Sequence, residues 1–106
     1  MVLKSPGINV YAVIFTAEIR ELDDKYSQTA AMLRQRAMDD YGCRAFTAVT
    51  EGSHEIAISH WDSLEAIQAW KQDLTHLDAQ ARGREHWYTS YRVEVVEVLR
   101  EYGAPR

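Results

Sequence analysis

The side chains with most scope for chemistry are three tryptophans and four histidines, and most of them gather late in the chain, as His60-Trp61, Trp70, His76 and His86-Trp87-Tyr88. A tryptophan offers a wide flat surface for stacking a planar aromatic ligand, with one indole N–H that can reach an oxygen. A histidine, with an ordinary pKa of about 6.5, can take or give a proton near neutrality. Any of these tryptophans could give a stacking surface and any of these histidines a base, Trp70 and His76 among them. Each has a plainer reading. Trp70 also suits the apolar stripe of a core helix, and His76 a helix surface. On a continuous helix the two lie about 240° apart by the 3.6-residue repeat, so they share a pocket only if the helix breaks near Asp73.

Other chemistries lack their residues. No two histidines stand three or four positions apart, no carboxylate sits at a recognised ligand spacing beside one, and Cys43 is the lone cysteine, so no dedicated metal site is expected. There is no GxGxxG, P-loop, GxSxG or Cys-His nucleophile pattern, and hence no support for a nucleotide cofactor or covalent hydrolysis. The cofactor expectation is none. His60 and Trp61 are strand neighbours and must face opposite ways. The His86-Trp87-Tyr88 cluster reads as a packed helix terminus, with an interface role behind that.

These residues must be held by one modest core. A chain of 106 residues is long enough for a single domain and too short for two; we expect one domain over 1–106, its core about 8–102, with 1–7 and 103–106 as short tails. Apolar residues make up 46% and charged residues 26%, which is ordinary globular usage. The net charge of −4, with no basic face, argues against nucleic acid as a partner. No apolar run approaches the length of a membrane span. With a single cysteine and no signal-like N-terminus, a cytoplasmic location is expected.

Periodicity gives the order of elements. Residues Asn9 to Ile19, rich in β-branched and aromatic types, predict a buried strand. From Asp23 to Tyr41 the positions Tyr26, Ala30, Leu33, Ala37 and Tyr41 form a helical stripe, stopped by Gly42. Cys43 to Thr50 and Glu55 to Trp61 alternate on either side of the turn Glu51-Gly52-Ser53-His54 and predict a hairpin. Asp62 with Glu65 three residues on predicts a capped helix whose stripe is Leu64, Ile67 and Trp70 or Leu74; a second helical piece, about Leu74 to Trp87, follows. Tyr91, Val93 and Val95 then alternate as a strand, and Val96 and Val98 take the opposite parity, which predicts a bulge or a change of partner.

The order β-α-β-β-α-β is the split pattern of a ferredoxin-like α+β sandwich: a four-stranded antiparallel sheet with two helices on one face. Yet the first strand is apolar on both parities, Val10, Ala12 and Ile14 against Tyr11, Val13, Phe15 and Ile19. The second repeats this, with Phe46 and Ala48 against Ala45 and Val49. Helices can cover one face only, so the other is expected to meet a second copy in a symmetric homodimer.

The strand that ends in Trp61, the polar turn Asp62-Ser63 and the helical Trp70 nine residues on together resemble the antibiotic biosynthesis monooxygenase (ABM) family of dimeric α/β-barrel proteins, over roughly residues 8 to 102. The resemblance implies two sheets packed face to face, and a pocket between sheet and helices on each subunit walled by Phe15, Trp70, Leu74, His76 and Trp87. It also implies a cofactor-independent monooxygenase that oxidises an electron-rich aromatic of phenol or quinol type, with Trp70 orienting it and His76 taking its proton. A non-catalytic binding dimer needs the same pocket and no base. Haem-degrading proteins of this fold carry a helical His about ten residues after the Trp and an Asn on the first strand. Here Gln80 stands at the first position and Asn9 lies too early for the second, which argues against that branch, although His76 could still ligate iron from a different register and haem binding or degradation stays as a minor alternative.

Overall fold

The strand rich in β-branched and aromatic residues is the spine of the sheet. In a computed structural model, which describes residues 2–3, 9–81 and 87–105, with only the backbone of 2, 3 and 74–81, the elements are β1 (Val2–Leu3), β2 (Tyr11–Ile19), α1 (Asp24–Asp40), β3 (Ala45–Glu51), β4 (His54–Trp61), α2 (Leu64–Ala81), β5 (Tyr88–Glu97) and β6 (Tyr102–Gly103). The main sheet has the order β3-β4-β2-β5, with every neighbour antiparallel. The buried residues of β2, β4, α1 and α2 fall in one cluster, so both helices pack on one face. This is the expected ferredoxin-like α+β fold. The short ends expected as tails instead pair with each other, Val2 opposite Gly103 and Leu3 opposite Tyr102.

Local sequence sets the boundaries. Asp23 caps α1 by accepting from the backbone N–H of Tyr26 at 2.8 Å. At the other end Gly42 adopts φ 75°, the left-handed conformation that suits a glycine just past a helix, and the N–H of Cys43 reaches back six positions to the carbonyl of Ala37 at 2.9 Å. The cap of α2 differs from expectation. Ser63, and not Asp62, accepts from Ala66 N–H at 3.1 Å, while Asp62 sits 3.5 Å from Arg44; a serine oxygen one position nearer the helix reaches the free donors directly. Leu64, placed on the apolar stripe by periodicity, is exposed at the first position of α2.

The bulge also lies elsewhere. β5 pairs with β2 without interruption from Glu97 opposite Tyr11 to Ser90 opposite Glu18, and the register shifts only between Glu18 and Ile19. β5 keeps regular alternation through the Val95-Val96 change of parity, with Val96 taking the far-face position that Arg92 and Glu94 hold before it. Val13 and Val95 pair on the helix side, and Ala12 and Val96 pair on the other.

Inside, Val13, Ala37, Cys43, Trp61, Ile67 and Trp70 form the main core, with Phe46 and Tyr11 against it. A smaller cluster of Ala17, Trp87 and Tyr88 is flanked by Phe15, Ile19 and Tyr26. Arg36 of α1 grips both carboxylate oxygens of Asp73 of α2 at 2.9 and 3.0 Å, and Tyr41 donates to the same group at 3.3 Å, which fixes the helices side by side over the sheet. No helix among the described residues is long and apolar enough to cross a membrane.

Candidate active site

Between the two core clusters the helices stand away from the sheet and leave a cavity of about 610 Å³, within the range of small-molecule sites. One end is aromatic and apolar. Trp70 presents its ring beside Phe46 (centroids 6.1 Å apart, planes at 81°) and against Trp61 (5.2 Å, 40°), with Leu33 and Ile67 completing the wall. The guanidinium of Arg34 lies 5.6 Å above the Phe46 ring at the rim. The Trp70 indole N–H is spent on the backbone carbonyl of Leu33 at 3.3 Å, so Trp70 offers a ligand its surface and not a donor.

The opposite end holds a group that the sequence reading missed. Glu55, only 7% exposed, points inward from β4 and accepts from the hydroxyls of Tyr26 on one oxygen and Tyr88 on the other, the latter at 3.0 Å. Around it Tyr26 and Trp87 meet edge to face at 5.3 Å, and Phe15 packs on Tyr88 at 5.5 Å and stacks with Tyr91 at 5.9 Å. The Trp87 indole donates to Asp23 at 3.1 Å, so the residue that caps α1 also anchors this wall. A signal for Glu55 existed: it shares the parity of Trp61, so if Trp61 is inside, Glu55 must be too.

Burial pushes the Tyr26 hydroxyl above its ordinary value near 10 to about 12, with donation to Glu55 adding to the effect. Burial, and then the neighbouring Tyr26, raises Tyr88 further. Because the folded state holds these protons more tightly than the unfolded one, the stability they contribute is complete below about pH 10 and is lost as pH rises through the folded values. In an alkaline titration followed by phenolate absorbance, Tyr26→Phe and Tyr88→Phe are each expected to remove amplitude only above pH ~11. Amplitude lost near pH 10 would mean the hydroxyls are not held as described.

Of the residues proposed from sequence, Phe15, Trp70 and Trp87 all line this cavity. The side chains of Leu74 and His76 lie outside the described residues, as does His86. α2 runs unbroken through residue 81, so the break near Asp73 that would bring His76 into the pocket of Trp70 is not there. His60, paired with Ala12 and Ala45, belongs to the far face of the sheet. Among the described residues no group of three or more His, Cys, Asp or Glu could hold a metal ion.

No family model matches the chain. The uncharacterised protein YqjZ of Bacillus subtilis is 37% identical over 99 residues, which cover 92% of this chain and 87% of YqjZ. The chain belongs to the YqjZ family. Solved structures extend the likeness to the fold of this YqjZ-family chain. A candidate antibiotic biosynthesis monooxygenase from Nitrosomonas europaea superposes with a TM-score of 0.64 at 16% identity, covering 85% of this chain and 90% of that one. A variant of SnoaB, a cofactor-independent oxygenase from Streptomyces nogalater, gives 0.63 at 13% identity (88% and 95% covered). A variant of MhuD with two manganese protoporphyrin IX bound per active site gives 0.61 at 20% identity (89% and 99% covered). The YqjZ-family chain thus has the ABM fold, and these distant likenesses speak for the fold alone.

Proposed function

We propose that this chain is a cofactor-independent monooxygenase that oxidises a small electron-rich aromatic of phenol or quinol type. The observation that supports it is the cavity, whose one wall is the edge-to-face aromatic surface of Trp70 and Phe46 and whose far end carries Glu55 with the hydroxyls of Tyr26 and Tyr88. A planar ring lies against Trp70, and the surrounding apolar wall excludes water from it. For a phenol the reaction balances as ring plus O₂ giving quinone plus water: one oxygen atom enters as a carbonyl, the other leaves as water, and the substrate supplies the electrons. SnoaB, described as a cofactor-independent oxygenase, shares the fold and lends the reading weight.

Trp70→Ala is expected to weaken binding of a naphthol or naphthoquinol on the order of tenfold, given what aromatic stacking is worth, and to lower oxygen uptake measured with an electrode. Uptake by the variant equal to that of wild type would remove Trp70 from the reaction. One observation favours non-catalytic binding as the second reading: the described walls carry no imidazole, and the two tyrosine hydroxyls are held neutral. Tight ligand binding with no oxygen uptake would select it.

The same proposal includes a homodimer. The face of the sheet away from the helices exposes Val49 (60%), Ile58 (36%) and Val96 (36%) around the half-buried Ile14 and Ile56. An apolar sheet face of this kind is usually closed by a partner. A second copy, face to face, covers it symmetrically.

A further inference from the structure

We infer that Tyr26, Glu55 and Tyr88 together form a hydroxyl receptor, which holds the phenolic O–H of the substrate and releases the quinone made from it. The inference deepens the monooxygenase reading and rests on it for the identity of substrate and product. Three elements build the cluster: Tyr26 on α1, Glu55 on β4 and Tyr88 at the start of β5. The two tyrosine rings stand edge to face at 6.1 Å, and their hydroxyls converge on the two oxygens of one buried carboxyl group. All three side chains line the cavity that Trp70 walls at its other end.

Hydrogen-bond counting sets what can dock. Each tyrosine hydroxyl has one proton, burial keeps it in place near neutrality, and both protons go to Glu55. Hydroxyl and carboxyl oxygens each carry two lone pairs. The oxygens of the cluster therefore offer more lone pairs than protons whether or not Glu55 is itself protonated. A cation from Arg34 or Lys71, which also line the cavity, would fill a few of these lone pairs and leave others over. In every such state a ligand that brings an O–H proton gains a bond that an ether or ketone cannot make. The phenolic oxygen also accepts, so it completes the cluster when Glu55 carries a proton.

The proposed reaction gives this count a consequence. As the phenol becomes a quinone its O–H bond breaks and its oxygen becomes a carbonyl. That proton, with the hydrogen of the ring carbon that takes up oxygen, ends in the water formed. The product brings no proton to the cluster, forfeits the bond and is held less tightly than the substrate at the same place.

The test is calorimetric titration of the purified protein under nitrogen, where no turnover occurs, with 1-naphthol, 1-methoxynaphthalene and 1-tetralone, the ketone standing for the product. Wild type is expected to bind the naphthol about tenfold more tightly than the ether or the ketone, the scale of one net hydrogen bond. Glu55→Met, of similar size, returns two hydroxyl protons to the cavity, and there the ether and ketone are expected to bind at least as tightly as the naphthol. Should that variant not fold, Glu55→Gln, whose amide brings donors of its own, is expected to narrow the preference. Equal binding of all three probes by wild type overturns the hydroxyl receptor and leaves the aromatic cavity standing. Binding of none overturns both. A Glu55 variant that keeps the full wild-type preference overturns the part given to the cluster. Preference for the naphthol under nitrogen, with no oxygen uptake in air, upholds the receptor and overturns the monooxygenase reading alone.

Discussion

Trp61→Ala is expected to cost about 3–5 kcal/mol of folding stability, the usual price of removing a large aromatic from a core. Trp61 is fully buried at the end of β4, its ring against Trp70 at 5.2 Å and its indole donating to the buried hydroxyl of Ser59 at 2.9 Å. The variant therefore leaves a cavity under α2 and takes a donor from Ser59, and the two losses add. Against a typical domain stability of about 5–15 kcal/mol, the variant should be partly unfolded without denaturant or unfold at very low urea. Equilibrium urea unfolding of both proteins measures the difference. A loss under about 1 kcal/mol would mean that Trp61 does not hold the sheet to the helices. Trp61→Phe should recover much of the loss, because it refills the space and forgoes only the hydrogen bond.

The second large effect concerns assembly. Val49→Lys with Ile58→Lys is expected to convert the proposed homodimer to monomer at every practical concentration. Ile58 lies between Ile14 and Thr47 across the strands, and Val49 lies opposite Ile56, so both lysines fall in the middle of the exposed apolar face. There each ammonium would lose its water without gaining a carboxylate, at a cost of several kcal/mol per charge. Together these raise the dissociation constant by a factor on the order of a thousand or more. Sedimentation equilibrium on wild type and variant reads it directly. Because both side chains point away from the helices, the variant monomer should keep its far-UV circular dichroism. A wild type that sediments as a monomer at tens of micromolar would refute the pairing of sheet faces.

The parts of the fold that could be read in advance are those set within a few residues. The Gly42 stop and the Gly52 turn are local devices, and they stand where the sequence put them. The cap of α2 went to Ser63 because two adjacent cap-forming residues compete and only the position of Arg44, just before β3, occupies Asp62. The Val95-Val96 parity change looked like a bulge because the far-face positions of β5 turn from polar, Arg92 and Glu94, to apolar, Val96, with no break in the pairing. The Glu55 end of the cavity was harder still. Its donors are 29 and 33 residues away, and a glutamate beside a turn reads as solvated unless its parity with Trp61 is followed inward. Trp70 was found through family likeness, and its indole partner, a backbone carbonyl on the other helix, has no sequence signature at all.

The central place of β2 shapes how the chain is born. Among the described strands it is the first long one to leave the ribosome, yet one of its two neighbours is β5, whose pairing reaches Tyr11 only through Glu97. At synthesis rates of about 5–20 residues per second, roughly 4–16 s separate the completion of the two strands. Throughout that interval one side of an apolar strand has unpaired amides and no neighbour to take them, the condition in which nascent chains pair with one another. Codon choice or a translational pause after α2 would therefore alter the yield of soluble protein without altering a single residue, and a chaperone that shields β2 would matter most before β5 emerges.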